Sequence, residues 1–158
     1  MIYYCKRKTK LGKIYTLYGS GGYAREVMPL LRDKVNLTNR ETTNEFYFID
    51  DSIDQPHNLN GAKVLSFNDL LKKFINHKIY SCIAIANKKD RKKLTKKCAD
   101  NGINMFSIIS SNSVIMDNVD IGIGSIISPF VTITSNVSIG KSFQANIYSY
   151  VAHDCQIG

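Results

Sequence analysis

From Ile109 onward an aliphatic residue returns at every sixth position, in the ladder Ile109, Ile115, Ile121, Ile127, Ile133, Ile139, Ala145, Val151 and Ile157. A period of six does not fit the helical repeat of about 3.6, so these 50 or so residues cannot wind into an amphipathic helix. A second row two places ahead of the first, Val119, Ser125, Val131, Val137, Phe143, Ser149 and Cys155, is small or apolar throughout. Glycine follows the ladder at Gly122, Gly140 and Gly158, where a tight corner needs either φ freedom or room for a neighbour. Such a repeat specifies a parallel β-helix, in which each short strand stacks on the one a coil below and the ladder fills the interior.

The first half has a different texture. Short apolar runs alternate with helical patterns, the signature of a parallel α/β unit. Strands are predicted over "KIYTLYG" (13–19), "EFYFIDD" (45–51), "AKVL" (62–65) and "YSCIAIA" (80–86); the last is apolar throughout, as a strand covered on both faces should be. Helices are predicted over "YAREVMPLLRDK" (23–34), with Val27, Leu30 and Leu31 on one face, and over "SFNDLLKKFIN" (66–76), where Ser66 and Asp69 form a capping box. Pro29 removes a backbone donor from the first helix and predicts a kink. A third helix, within "NKKDRKKLTKKCADNG" (87–102), carries a narrow stripe of Leu94, Cys98 and Ala99 and can be capped by Gly102.

That third helix holds much of the formal net charge of +8. Aromatic residues do not interleave with its lysines as stacking platforms would, so a solvated face, not nucleic-acid binding, is expected. Cys5, Cys82, Cys98 and Cys155 form no CxxC pair, which indicates neither a zinc site nor a disulfide framework, and no metal is expected. No apolar run approaches the roughly 18 residues of a membrane span, and the basic cluster of "MIYYCKRKTK" follows its apolar stretch, the reverse of a secretion signal. A cytoplasmic protein without membrane insertion is expected.

Gly19, Gly21 and Ala24 satisfy G-x-G-x-x-A after a strand and at the mouth of a helix, where backbone amides and the helix dipole favour a phosphate. A dinucleotide site wants an acid about 20 residues on. Asp50 and Asp51 come about ten residues later than that, which disfavours NAD but leaves them at the carboxyl end of a parallel strand, where such sheets take ligands; Asn87 follows another strand at the same edge. His153 stands between the inward-facing Val151 and Cys155 and should project outward at a corner. A neutral imidazole there can accept a proton, with Asp154 holding its tautomer.

Together "YGSGGYAREV", "FIDD", "IAIANKKDRKK", the sixfold ladder and "NIYSYVAHDCQIG" resemble the bacterial sugar acetyltransferases that join an N-terminal nucleotide-sugar domain to a left-handed β-helix. That family includes N-acetyltransferases of nucleotide-linked 4-amino sugars and sialic acid O-acetyltransferases. The resemblance runs from about Lys13 to Gly158. It implies an α/β Rossmann-like domain over 13–104, preceded by an extension over 1–12, and a left-handed parallel β-helix over 105–158.

It further implies that Gly19, Gly21, Gly22, Tyr23, Asp50, Asp51 and Asn87 hold the nucleotide sugar, that Asn146 contacts the sugar, and that His153 is the general base for acetyl transfer from acetyl-CoA, assisted by Asp154. A homotrimer packed along its β-helices is expected. Tyr23 stands where many relatives carry histidine, and Ala86 where they usually have glycine, which leaves the substrate open. Relatives continue for several further coils that form the coenzyme A groove, whereas Ile109 to Gly158 holds roughly 2.8 coils at three hexapeptides each. The expectation is therefore a β-helix incomplete at its C-terminus, with most of that groove absent. An amino-sugar N-acetyltransferase is the reading; a sialic acid O-acetyltransferase and a shortened, inactive nucleotide-sugar-binding fragment are its alternatives.

Overall fold

The computed structural model describes residues 12–38 and 44–158. Cys5 and all but the last residue of the predicted extension lie outside the described residues.

The chain opens with β1 (Ile14–Tyr18), α1 (Gly22–Thr38), β2 (Glu45–Ile49), β3 (His57–Leu59), β4 (Ala62–Leu65), α2 (Phe67–Lys73), β5 (Ile79–Ile83), α3 (Lys88–Asp100) and β6 (Asn104–Met105). The strands form one sheet in the order β3-β4-β2-β1-β5-β6, parallel except for the β3–β4 hairpin. This is a Rossmann-like arrangement, with its strand order reversing between β1 and β5. All five residues of β1 are buried, as a centre strand covered on both faces requires.

Local signals place most of these elements. Ser66 caps α2 by accepting a hydrogen bond from the Asp69 amide at 3.1 Å. Gly102 (φ +71°) closes α3 through its amide to the Ala99 carbonyl, and Ile103 donates to the Cys98 carbonyl. Cys98 and Leu94 face the core as predicted, but Ala99 is exposed. The kink predicted at Pro29 does not end the helix: α1 runs unbroken for 17 residues, four past the predicted end, because Pro29 lies on its exposed face. The β3 strand was not predicted; its signal was Asn60-Gly61, whose φ values of 46° and 72° make the mirror-image turn that suits a hairpin.

Nine short strands follow, three to each wall of a triangular prism. The first wall is β7 (Ile108–Ile109), β10 (Ile126–Ile127) and β13 (Gln144–Ala145); the second β8 (Val114–Ile115), β11 (Thr132–Ile133) and β14 (Tyr150–Val151); the third β9 (Val119–Ile121), β12 (Val137–Ile139) and β15 (Gln156–Ile157). All pairings are parallel, with Ile109, Ile127 and Ala145 in register, so one coil holds three hexapeptides of a left-handed β-helix. Ile127 and Ile133 are fully buried inside it, while Ile115, on the outermost coil, is 37% exposed.

Corners repeat with the same period. Asn118, Gly124, Phe130, Asn136, Ser142, Tyr148 and Asp154 all have φ between 57° and 83°. Gly122 and Gly140 are not among them. Their role is the second of the two predicted, room for a neighbour: a Cβ at Gly122 would lie 2.5 Å from the Gly140 carbonyl carbon.

The two parts share a core. Ile108 and Ile126 of the first wall belong to the same buried cluster as Val27 and Leu31 of α1 and Phe48 of β2. The Gln144 amide donates to the Ile83 carbonyl at 2.8 Å, and Cys82 Sγ donates to the Gly124 carbonyl at 3.4 Å. The α/β unit thus seats on the first wall, which fixes where every candidate residue stands.

Candidate active site

The glycine loop follows β1 at the point where the strand order reverses, the place where open parallel sheets take their ligands. Gly19 (φ +115°) could carry no side chain, since a Cβ would lie 2.9 Å from the Ala84 carbonyl oxygen beyond β5. That closeness narrows the crevice between the two strand ends. Gly21 and Gly22 are exposed, and a Cβ at Gly21 would meet nothing within 4 Å, so the amides at the mouth of α1 face open space. Tyr23 turns inward against the core; its hydroxyl is buried without a hydrogen-bond partner among the described residues.

Asp50 belongs to this loop. Ser20 donates to its Oδ2, and the Ser52 amide and hydroxyl donate to its Oδ1 at 2.9 and 2.6 Å. Partial burial pushes the carboxyl up, but these hydrogen bonds outweigh it and hold Asp50 below the usual carboxylate value. Asp51 is committed elsewhere: it accepts from Lys97 Nζ at 2.6 Å, from the Tyr18 hydroxyl at 2.5 Å and from the Phe67 amide at 2.9 Å. Burial again raises its pKa, and Lys97, Tyr18 and the amide lower it by more. Burial, then Asp51 itself, drives the Tyr18 hydroxyl far up, so Tyr18 stays a donor. Asn87 is the N-cap of α3, its Oδ1 accepting from the Lys89 and Asp90 amides at 2.9 and 3.2 Å.

His153 stands on the prism edge between the second and third walls. Its Nδ1 lies 2.6 Å from Asp154 Oδ2, and both side chains are mostly exposed. A carboxylate can only accept, so Nδ1 carries the proton and Nε2 presents its lone pair to solvent. Asp154 is held in turn: its φ of 58° sets it at the corner, and Asn136 Nδ2, one coil below, donates to its Oδ1 at 3.1 Å. Asn118 donates to Asn136 at 3.2 Å one coil further down, so a column of corner side chains supports the acid. Hydrogen bonds from His153 and Asn136 keep the Asp154 carboxyl below its ordinary value.

One chain does not bring these groups together. The edge carrying His153 is opposite the wall on which the α/β unit sits, whereas the glycine loop and Asp50 lie on the α/β side. Asn146 is exposed just after β13, near neither His153 nor the second-to-third-wall edge. Sequence reading missed Ser20, Lys97, Arg91 and Gln144. Arg91 Nη1 donates to the Ile85 and Ala86 carbonyls at 3.1 and 2.6 Å and reaches Gln144 Oε1 at 3.4 Å, bracing the end of β5 against the coil. Ser20 was legible inside the glycine loop; Lys97 and Gln144 were not, because their partners are distant in sequence, and Arg91 reads in sequence as one more cation of a charged helix. Among the described residues no group of three or more His, Cys, Asp or Glu is placed to hold a metal, and no helix is long and apolar enough to cross a membrane.

Known proteins share this architecture. A GDP-perosamine N-acetyltransferase of Escherichia coli O157:H7 is 42% identical over 147 residues, 92% of this chain and 64% of the relative. WeeI from Acinetobacter baumannii AYE superposes with a TM-score of 0.83 at 46% identity, over 92% of this chain and 66% of that one. PerB from Caulobacter crescentus, solved with CoA and GDP-perosamine, gives a TM-score of 0.71 at 23% identity over 93% and 66% of the two chains, a likeness of fold alone. The chain therefore spans just under two thirds of the length of these relatives. The profile of the PglD N-terminal domain matches residues 15–98, from β1 into α3 and more than half of the chain. On that match the chain belongs to the family of the PglD N-terminal domain.

Proposed function

We propose that this chain carries the nucleotide-sugar loop and the general base of an enzyme that moves acetyl from acetyl-CoA to the amine of a nucleotide-linked 4-amino sugar. The observation that carries the reading is His153, its Nδ1 proton fixed on Asp154 and its Nε2 open at a prism edge. Nε2 takes a proton from the sugar amine as its nitrogen bonds to the thioester carbonyl carbon. The tetrahedral intermediate then collapses, the C–S bond breaks, and the imidazolium returns the proton to the departing thiolate. Asp154 stabilises the imidazolium without taking its proton.

The glycine loop with Ser20 and Asp50 is the acceptor's nucleotide site, and the relative that acts on GDP-perosamine favours a GDP-linked sugar and N- over O-acetylation. Asp51 and Asn87, being used by their own chain, support this site without reaching into it. Loop and base stand on opposite sides of the prism, so a second copy completes the site. A homotrimer packed along the β-helices does this; the exposure of Phe130, Ile147, Tyr148 and Tyr150, at 50% or more each, supports such self-association. Acetyl-CoA and nucleotide sugars both place the reaction in the cytoplasm.

The test has two parts. A GDP-linked 4-amino sugar should raise the melting temperature of the chain by mass action, and NAD should not. In the enzyme assayed at the full length of its relatives, His153→Ala should lower kcat by roughly a hundred- to ten-thousand-fold with sugar binding nearly intact. A His153→Ala enzyme of normal kcat would sink the mechanism.

A further inference from the structure

The charged face of α3 turns toward the β-helix. Leu94 and Cys98 turn toward the sheet, so the face turned toward the β-helix should supply apolar packing. Instead Lys88, Lys92 and Lys96 form one row at four-residue spacing, and Arg91 and Thr95 the next. Across from them stands Lys141, at the corner between the third and first walls, and a cleft of about 470 Å³ separates the two sides. Among the described residues no Asp or Glu side chain lines it, and Ile157 and Gly158 of the last described coil complete its wall.

Part of this charge is answered. Arg91 is spent on backbone carbonyls and Gln144, and Lys96 pairs with Asp100 at 2.6 Å. Lys88, Lys92 and Lys141 have no ion pair among the described residues. Like charges facing one another across a concave wall repel, and the concavity focuses their field on whatever anion enters. The cleft also offers neutral donors: the Ser142 hydroxyl on the coil side, and Thr95, whose Oγ1 is buried without a hydrogen-bond partner among the described residues. Most of the accessible wall is apolar, with Ala99, Phe143 and Ile157 beside the lysine stems. A concave cationic lining with hydroxyls is chemistry suited to a compact group of several phosphate oxygens; a flat, solvated helix would show neither the concavity nor the opposing lysine.

We infer that the cleft between α3 and the Lys141 corner is a second anion site, which binds a phosphate-bearing group through Lys88, Lys92 and Lys141. It is separate from the glycine loop, whose anion would be held by backbone amides at the mouth of α1. The chemistry is shared by a free polyphosphate and by the headgroup of an anionic lipid, and the experiment separates these sources.

Inorganic pyrophosphate is titrated into the chain by calorimetry at low salt, with and without a saturating GDP-linked amino sugar. Binding should persist with the sugar bound, weaken steeply as salt rises, and fall about tenfold or more in K92Q/K141Q. The control K63Q/K72Q removes the same net charge away from the cleft and should bind as the parent does. Vesicles containing phosphatidylglycerol form the second arm: co-sedimentation lost in K92Q/K141Q, together with weak pyrophosphate binding, assigns the site to a headgroup, and the reverse to a soluble ligand. Binding of neither probe overturns the proposal, as does competition by the sugar or an equal loss in both double variants. Retention of a duplex DNA in preference to both probes, equally lost in both variants, likewise overturns it in favour of non-specific charge. Failure of the sugar alone to bind would strike the proposed acetyltransferase reading and leave this site standing.

Discussion

Ile126 and Ile127 are neighbours in β10, both fully buried, and they face opposite ways: Ile126 joins the core shared with α1, and Ile127 the interior of the prism. Replacing either with alanine removes three carbons, about 2.4 kcal/mol of transfer energy at roughly 0.8 per buried methylene. The cavity left behind raises the cost to about 2.5–4 kcal/mol, within the range for buried isoleucine truncations. For a chain of this size that lowers the melting temperature by roughly 5–15 °C. Because Ile126 lies in a core built from both parts, the α/β unit and the coils should melt in one transition, and each variant should shift that transition by a similar amount. Circular dichroism and tyrosine fluorescence, followed through the same melt, should coincide. Two resolved transitions, with Ile126→Ala moving neither or Ile127→Ala moving only one, would refute the shared core and with it the fixed placement of the glycine loop against the first wall.

Gly122→Ala should destabilise by about 1–3 kcal/mol in urea melts, because its Cβ meets the backbone of Gly140 at 2.5 Å and no side chain can yield. Gly21→Ala, with open space around it, should leave the melt unchanged yet weaken nucleotide-sugar binding in calorimetry by crowding the loop amides. Asp154→Asn should lower kcat less than loss of His153 does, measured as thiol release from acetyl-CoA, since it orients the ring and carries no proton. Asp50 and Asp51 have depressed pKa values, so their contribution to stability is complete above the ordinary carboxylate value of 3.8 and is lost as pH falls below it through the folded values; Asp51→Asn should flatten the acid limb of the stability curve.

What the sequence alone determined is what repeats or acts over a few residues. The ladder set the six-residue wall, since an inward side chain must recur wherever a wall recurs; that three such walls close one coil was implied by the family resemblance and is seen in the register of Ile109, Ile127 and Ala145. Ser66 and Gly102 marked helix ends, because a cap bonds amides or carbonyls within one turn. Gly19 and its loop, and the outward position of His153, followed from the same short-range logic. Tertiary structure decided which wall of the prism would carry the α/β unit. Ile126 and Ile127 are identical in sequence terms, and only docking shows that one is a junction residue and the other a coil residue. That docking puts His153 on the far edge, so that the base and the loop of one chain stand apart. It also closes Asp51 onto Lys97, 46 positions away, and Gln144 onto Ile83, 61 positions away. A hydrogen bond across such a span depends on where two elements come to rest against each other, and no local spacing encodes it.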